Sequence, residues 1–417
     1  MSFGPPPASF GPPAAPAWTP PTEVEQALFE ANSREDWAAY FDTLARNRVY
    51  FEIDRKKEDA SPGITYTLFG HDPRVPGGRF WAVYTEGMLP APEPHRVFDW
   101  NVLAWFAEVW TPADPPMIVV NPGSPCEAFL PSAPPHSAAW AGFFARSGGP
   151  SGRAELRTLR VGGPLHGPVA HGLACGALLF VNHGLPWNAM AYHGQGYPTE
   201  RRMLREWWGV TSRQEWQVQQ HALLATNGAN PVWEFALGLR RAIARDFGGY
   251  VETPFWRDAA AQVLRNRPDG EATITPDGVT KTSVTEAETE AHIKGVQHLI
   301  GRITRYEARM RADDILKENQ YVSSADAWDL GRASCMARWG LGARYSDLPE
   351  AEAAVIEAGR SAGRTYKSWQ DFSAGFILGR CLHFDDEEFG SWYEDMVTAH
   401  RILMAEPGSP WLNITFR

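Results

Sequence analysis

The stretch ADAWDLGRASCMARWG, residues 325–340, sets apolar and aromatic side chains at helical spacing. At about 100° per residue, Trp328, Cys335 and Trp339 fall within about 40° of one another, and Arg332 lies about 40° from Trp328. The stretch SWQDFSAGFILGRCLHF (368–384) repeats the pattern, with Trp369, Phe372 and Phe376 in one stripe that also takes in Arg380 and His383. Two helices that bury aromatic faces need further helices to cover them, and the sequence supplies them. From about Gly163 onward the pattern is almost wholly helical.

Working back from these two helices, start signals recur. Ser368 precedes the second of them, and Pro349 opens 350–364. Thr285 with Glu288 forms a capping box for a helix running to about Leu316. Thr253-Pro254 and Asn230-Pro231 each place proline behind a good cap. Ser212 with Glu215 caps RQEWQVQQHALLATN, Thr199 precedes ERRMLREWWGV, and a last helix covers about 387–405. Residues 268–285, with two PDG turns and little apolar material, read as a mobile insertion.

Upstream, the period changes. VYFEID (49–54), ITYTLFG (64–70), RFWAVYT (79–85) and PMIVVNP (116–122) read as strands, with helices after Thr22 and Ser33 and helical periodicity over 99–110. The expected fold is therefore α+β: a small α+β domain over 23–135, a Pro/Gly/Ser/Ala-rich linker over 136–162, and a larger all-helical domain over 163–417. Residues 1–22 hold eight prolines and no charge, with SFGPP at 2–6 and again at 9–13. This segment reads as a disordered tail, in which Phe3, Phe10 and Trp18 are the candidate docking residues.

Composition narrows the function classes. The formal net charge of −10 argues against a nucleic-acid binder. No apolar run reaches the ~18 residues of a membrane span. Cys126, Cys175, Cys335 and Cys381 form no CxxC pair and no zinc spacing, and no signal peptide is visible. A cytoplasmic protein with reduced thiols is expected. Of the 18 tryptophans, 11 lie from Trp187 onward, and only six of the 39 basic residues are lysine. The arginine bias fits a GC-rich genome, such as that of an actinobacterium, or selection for bidentate, aromatic-stacking cations.

PPMIVVNPGSPCEAFLP (115–131), following a helix–helix–strand opening, resembles the N-terminal domain of the SseB family. GLACGALLFVNHGLPWN, LREWWGVTSRQEW, AWDLGRASCMARWGLGARYSD, SWQDFSAGFILGRCLHF and the closing SPW, spanning about 172–411, resemble the YbeR/YbeU-type domain of unknown function 1266. The resemblance implies a bacterial, cytosolic protein with an accessory N-terminal module. It implies no catalytic residues.

The candidate pocket is Asp329, Arg332, Arg380 and His383. Asp329 sits three residues before Arg332, a spacing at which the side chains meet. Gly331 and Gly379, beside the arginines, let the two helices approach. Buried guanidinium groups require partners. One reading is a structural Asp–Arg network stacked on tryptophans. The other is an anion pocket with Arg332 and Arg380 as forks and His383 as proton donor or acceptor. His166, His171, His183 and His193 match no zinc arrangement, and HFDDEE (383–388) is explained by its place before a helix N-terminus, so no metal and no cofactor is expected. GxSxG, the P-loop and a strand-linked GxGxxG are all missing. The expectation is a non-enzymatic binding or adaptor protein with a protein partner, in a stress or conflict setting. The alternatives are an enzyme acting on a small anionic substrate at the pocket, or a tail-tethered component of an assembly.

Overall fold

In the computed structural model, the described residues are 18–53, 68–90, 97–134, 136–147, 154–158, 164–190, 197–227, 230–266, 272–275, 278–281 and 285–417. They form a small α+β part followed by a largely helical one, as expected. Two compact units emerge: residues 1–49, 69–88 and 102–149, and residues 50–68, 89–101 and 150–417.

The first unit opens with α1 (Glu23–Ser33), capped by Thr22 through Val24 N. Ser33 ends this helix and does not start the next one. Asp36 is the cap of α2 (Trp37–Ala45), accepting from Ala39 N at 3.1 Å, because its short carboxylate reaches an amide that the first turn leaves without a backbone acceptor. Strands β2 (Phe69–His71), β3 (Arg79–Val83), β5 (Met117–Val120) and β6 (Ala128–Pro131) form a sheet in the order β2-β3-β5-β6, parallel only between β3 and β5. Alternate residues line its two faces: Val83, Ile118, Val120 and Leu130 are fully or almost fully buried, while Phe80 and Val119 pack with Val75 on the other side. The stretch 99–110 is not one helix. Strand β4 (Val97–Asn101), which pairs with β1 (Val49–Ile53) and belongs to the second unit, ends before α3 (Leu103–Val109) of the first, whose Phe106 meets Trp81 edge-on at 5.2 Å.

Part of the stretch read as a linker is helical. α4 (His136–Ser147) buries Trp140 and stacks Phe143 on Phe41 at 5.4 Å. Its small residues read as loop composition, yet two aromatics three apart anchor one helical face. The NPGSP turn after β5 is held by its own polar groups. Asn121, at φ 47°, donates to Thr85 Oγ1 and Cys126 Sγ and accepts from Thr85 N. Buried Glu25 accepts from Thr85 and from Gly87 N. Burial pushes the Cys126 thiol up, so this motif is a structural latch with an inert cysteine. Trp18 packs on Phe29 at 5.4 Å, whereas Phe3 and Phe10 lie outside the described residues.

The second unit is built around one helix. α12 (Asp326–Gly342) is buried at 15 of its 17 positions, so it is an axle with neighbours on all sides. Around it lie α5 (Gly167–Cys175), α6 (Ala177–Asn182), α7 (Tyr197–Trp208), α8 (Arg213–Leu224), α13 (Leu348–Thr365) and α14 (Trp369–Phe384). α9 (Pro231–Phe247), α10 (Thr253–Arg265) and α11 (Glu286–Ala312) form a second layer, and α15 (Ser391–Ala405) covers α14 and α6. A two-stranded antiparallel pairing, Ala272–Thr275 with Gly278–Lys281, falls within the stretch read as a mobile insertion.

The tryptophan excess has a structural use here. Buried indoles donate to backbone carbonyls of other segments: Trp216 to Met336, Trp256 to Ala236, Trp369 to Ile414 and Trp411 to Ala174, at 2.8–3.0 Å. Most caps fall where expected, including Ser212, Asn230, Ser368 and the full Thr285–Glu288 capping box. Two do not. Thr199 lies inside α7, and Glu252, without a side-chain cap bond, stands at the N-cap of α10 in place of Thr253.

His400 on α15 is buried against Ser373 Oγ, 2.7 Å from Nδ1. Burial, then the Arg401 charge, pulls its pKa down to about 4. An unfolded histidine titrates near 6.5, so below that pH the unfolded chain takes up the proton first. The stability His400 contributes is therefore complete above about pH 6.5 and lost as pH falls toward 4, by on the order of 3 kcal/mol. Denaturant unfolding at neutral and mildly acidic pH should show this loss, and His400→Gln should flatten it. An unchanged pH slope in the variant would contradict the assignment.

Candidate functional site

α12 and α14 cross closely because each presents a glycine to the other. A methyl group on Gly331 would run into the Phe376 ring, and one on Gly379 into the Trp328 side chain. This approach brings three of the four expected residues together. Arg332 is ion-paired to fully buried Asp329, donates through Nε to the Trp328 carbonyl at 3.2 Å, and lies 3.3 Å over the Trp328 ring. Trp208 of α7 lies near its guanidinium at 5.5 Å. His383 packs on the same Trp328 ring at 4.8 Å.

Arg380 stands further along. Its Nε donates to the Trp392 carbonyl at 3.2 Å, and its guanidinium lies 4.8 Å over the Trp392 ring. Among the described residues, its two terminal nitrogens make no hydrogen bond and no ion pair. It is half-buried, and burial pulls its pKa down, opposed by the charges of Cys381 and Asp395. Arg332 is likewise pulled down, by burial first, with Asp329 opposing and Arg380 reinforcing the shift. The two guanidinium groups therefore feel each other, while only one has a paired carboxylate.

Two histidines flank the arginines. Burial and then Arg332 lower the pKa of His383; burial and then Arg380 lower that of His183. Both are neutral at pH 7, which leaves the guanidinium groups as the cations of the site. Exposed aromatics complete it: Trp392 stacks on Phe384 at 4.5 Å, and Trp207 lies 6.3 Å from His183.

A family model described as a protein of unknown function (DUF1266) matches residues 203–416. The chain belongs to the DUF1266 family. No curated protein and no solved structure matches it. All four expected site residues lie inside the DUF1266 match, whereas the GLACGALLFVNHGLPWN stretch, which forms α5 and α6, precedes it.

The other expected groups fall elsewhere in this DUF1266 protein. His166 is the N-cap residue of α5 without a side-chain cap bond, His171 packs between Trp369 and Phe416, and His193 lies outside the described residues. Asp385 accepts from Phe389 N, Gly390 N and Tyr306 OH, and Glu387 pairs with Arg305, so the acidic run is consumed in holding the α14–α15 turn. No group of three His, Cys, Asp or Glu side chains able to hold a metal occurs among the described residues. All four cysteines are free and buried, with burial pushing their thiols up.

Sequence reading missed Arg338. It is fully buried over the Phe180 ring at 3.3 Å and donates to the carbonyls of Pro186 and Trp187, with burial lowering its pKa to about 9. It pins the segment after α6 to the axle. Six residues from Arg332, it lies on another face of α12, and no sequence-local partner marks it.

Proposed function

We propose that this DUF1266 protein is a non-catalytic binding protein whose helical unit receives a carboxylate or phosphate group between Arg380 and Arg332. The observation that carries this reading is Arg380. Its guanidinium is half-buried and stacked on Trp392, its terminal nitrogens make no hydrogen bond among the described residues, and it is near enough to Arg332 for the two charges to act on each other. A half-buried cation whose terminal nitrogens bond no carboxylate is costly, and an incoming anion lowers that cost through charge-assisted hydrogen bonds.

Exposed Trp207, Phe384 and Trp392 beside two arginines give the composition of an interface hot spot, which favours an anionic group presented by a protein partner. The N-terminal unit fits an SseB-like accessory module, on the strength of residues 115–131. The arginine bias and buried, unpaired thiols support a bacterial, cytoplasmic setting. A role in stress or conflict systems extends this reading.

Calorimetric titration of the full chain with formate, acetate, phosphate and sulfate tests the site. Binding should be salt-sensitive, and Arg380→Gln should weaken it by about tenfold or more. Equal binding by wild type and Arg380→Gln would remove Arg380 from the site. Turnover of any bound anion would overturn the non-catalytic part.

A further inference from the structure

A separate cavity of about 590 Å³ opens at the other end of α14, between the last turns of α9, the segment 316–323 and the α13–α14 turn. We propose that it binds a phosphate ester of the size of a sugar phosphate or nucleotide. Three cations from two elements line it: Arg241 and Arg245 from α9, and Lys367 from the α13–α14 turn. Arg241 has Glu234 at 3.5 Å and Arg245 is paired with Asp246 at 2.9 Å, while the lining carboxylate, Asp371, is engaged, accepting from Ser323 Oγ at 2.9 Å and Lys367 N at 3.1 Å. In a chain of net charge −10, the Lys367 ammonium and the open nitrogens of Arg241 are the groups that favour an anion here.

The cations are placed to take a dianion. Arg241 is fixed by one terminal nitrogen on the Ser323 carbonyl, with Glu234 at 3.5 Å, and its Nε and other terminal nitrogen form no hydrogen bond among the described residues. The Lys367 ammonium has no ion pair among the described residues, and lysine suits phosphate as a point charge. α14 starts beside it behind the Ser368 cap; Asp371 N is taken by Ser368 Oγ, and the amides of Trp369 and Gln370 at the start of this 16-residue helix add to the positive field. A carboxylate offers two oxygens to these groups; a phosphate monoester, with three non-bridging oxygens and up to two negative charges, can engage more of them. The rest of the cavity is mixed, with Ala244, Leu316 and Tyr321 beside the Asn319 amide and the Gln320 Nε2, since Gln320 Oε1 already accepts from Lys317 N, and its volume is that of a small-molecule site.

Titration of the full chain with ribose 5-phosphate, adenosine monophosphate, inorganic phosphate, ribose and adenosine tests this. The two esters should bind, and ribose and adenosine should not. Lys367→Gln and Arg241→Gln should each weaken ester binding by about tenfold. Arg380→Gln should leave it unchanged, which separates this cavity from the arginine site. If Arg241→Gln fails to fold because its Ser323 tie is lost, exposed Lys367→Gln and Arg245→Gln carry the test. Absence of ester binding, inorganic phosphate binding as tightly as the esters, or unaltered binding in Lys367→Gln would each overturn the proposal.

Discussion

Glu307→Ala is expected to destabilise the helical unit by about 3–5 kcal/mol, a large share of the roughly 5–15 kcal/mol that holds a domain together. Glu307 on α11 and Arg240 on α9 are both buried and paired through two hydrogen bonds, of 2.6 and 2.9 Å. Arg240 also donates to the Val322 carbonyl and lies between the rings of Trp256 and Tyr321, at 4.2 and 4.5 Å. Glu307 accepts from Val322 N at 2.8 Å. The alanine variant therefore strands a guanidinium in an aromatic slot and orphans a buried amide. Replacing both partners, as Arg240→Met with Glu307→Leu, should recover much of the loss, since neither charge is then left unpaired. Denaturant melts of the three variants decide the point. A single-variant cost below about 1 kcal/mol would mean that the pair is not the lock it is taken to be.

The second large effect separates two glycines that helix propensity treats alike. Alanine should stabilise a helix interior by about 1 kcal/mol relative to glycine. At Gly295, in the middle of α11, an added methyl meets nothing within 4 Å, so Gly295→Ala should show that gain. At Gly172 in α5 the methyl would collide with the Val355 carbonyl oxygen of α13, whose backbone cannot swing aside as a side chain can. Gly172→Ala should cost about 2–3 kcal/mol or more despite the same propensity gain. Thermal melts showing both variants shifted in the same direction would contradict the close α5–α13 crossing.

What the sequence made legible follows from range. Asp329 and Arg332 are three residues apart on one helix, so their pairing is a property of local geometry. The close α12–α14 approach was legible from Gly331 and Gly379 beside the arginines. Arg338 was not, because the carbonyls of Pro186 and Trp187 that it holds come from a distant part of the chain. Trp392 and Trp208, which cover Arg380 and Arg332, likewise reach the site only through tertiary packing. The misplaced boundaries were local failures of another kind. Ser33 and Thr199 are good caps by type, yet the buried Leu28 and Ala31 carry α1 through to Ser33, and α7 starts two residues before Thr199, at Tyr197. α4 was hidden by composition, since two anchoring aromatics weigh little against a run of Pro, Gly, Ser and Ala.

The His183 and His383 shifts define how the arginine site behaves with pH. Both histidines carry pKa values lowered by burial and then by an arginine, so they stay neutral at pH 7 and charge only on acidification. Anion binding at Arg380 should therefore strengthen on acidification as these rings add positive charge.

The most direct measurement is anomalous diffraction from crystals of the full chain soaked in selenate, a tetrahedral anion with a strong signal. The account predicts a selenium peak within hydrogen-bond reach of the Arg380 terminal nitrogens, on the side facing Arg332, and loss of that peak in Arg380→Gln. A map with no peak there, and with Arg380 paired instead to a carboxylate of the protein, would contradict it.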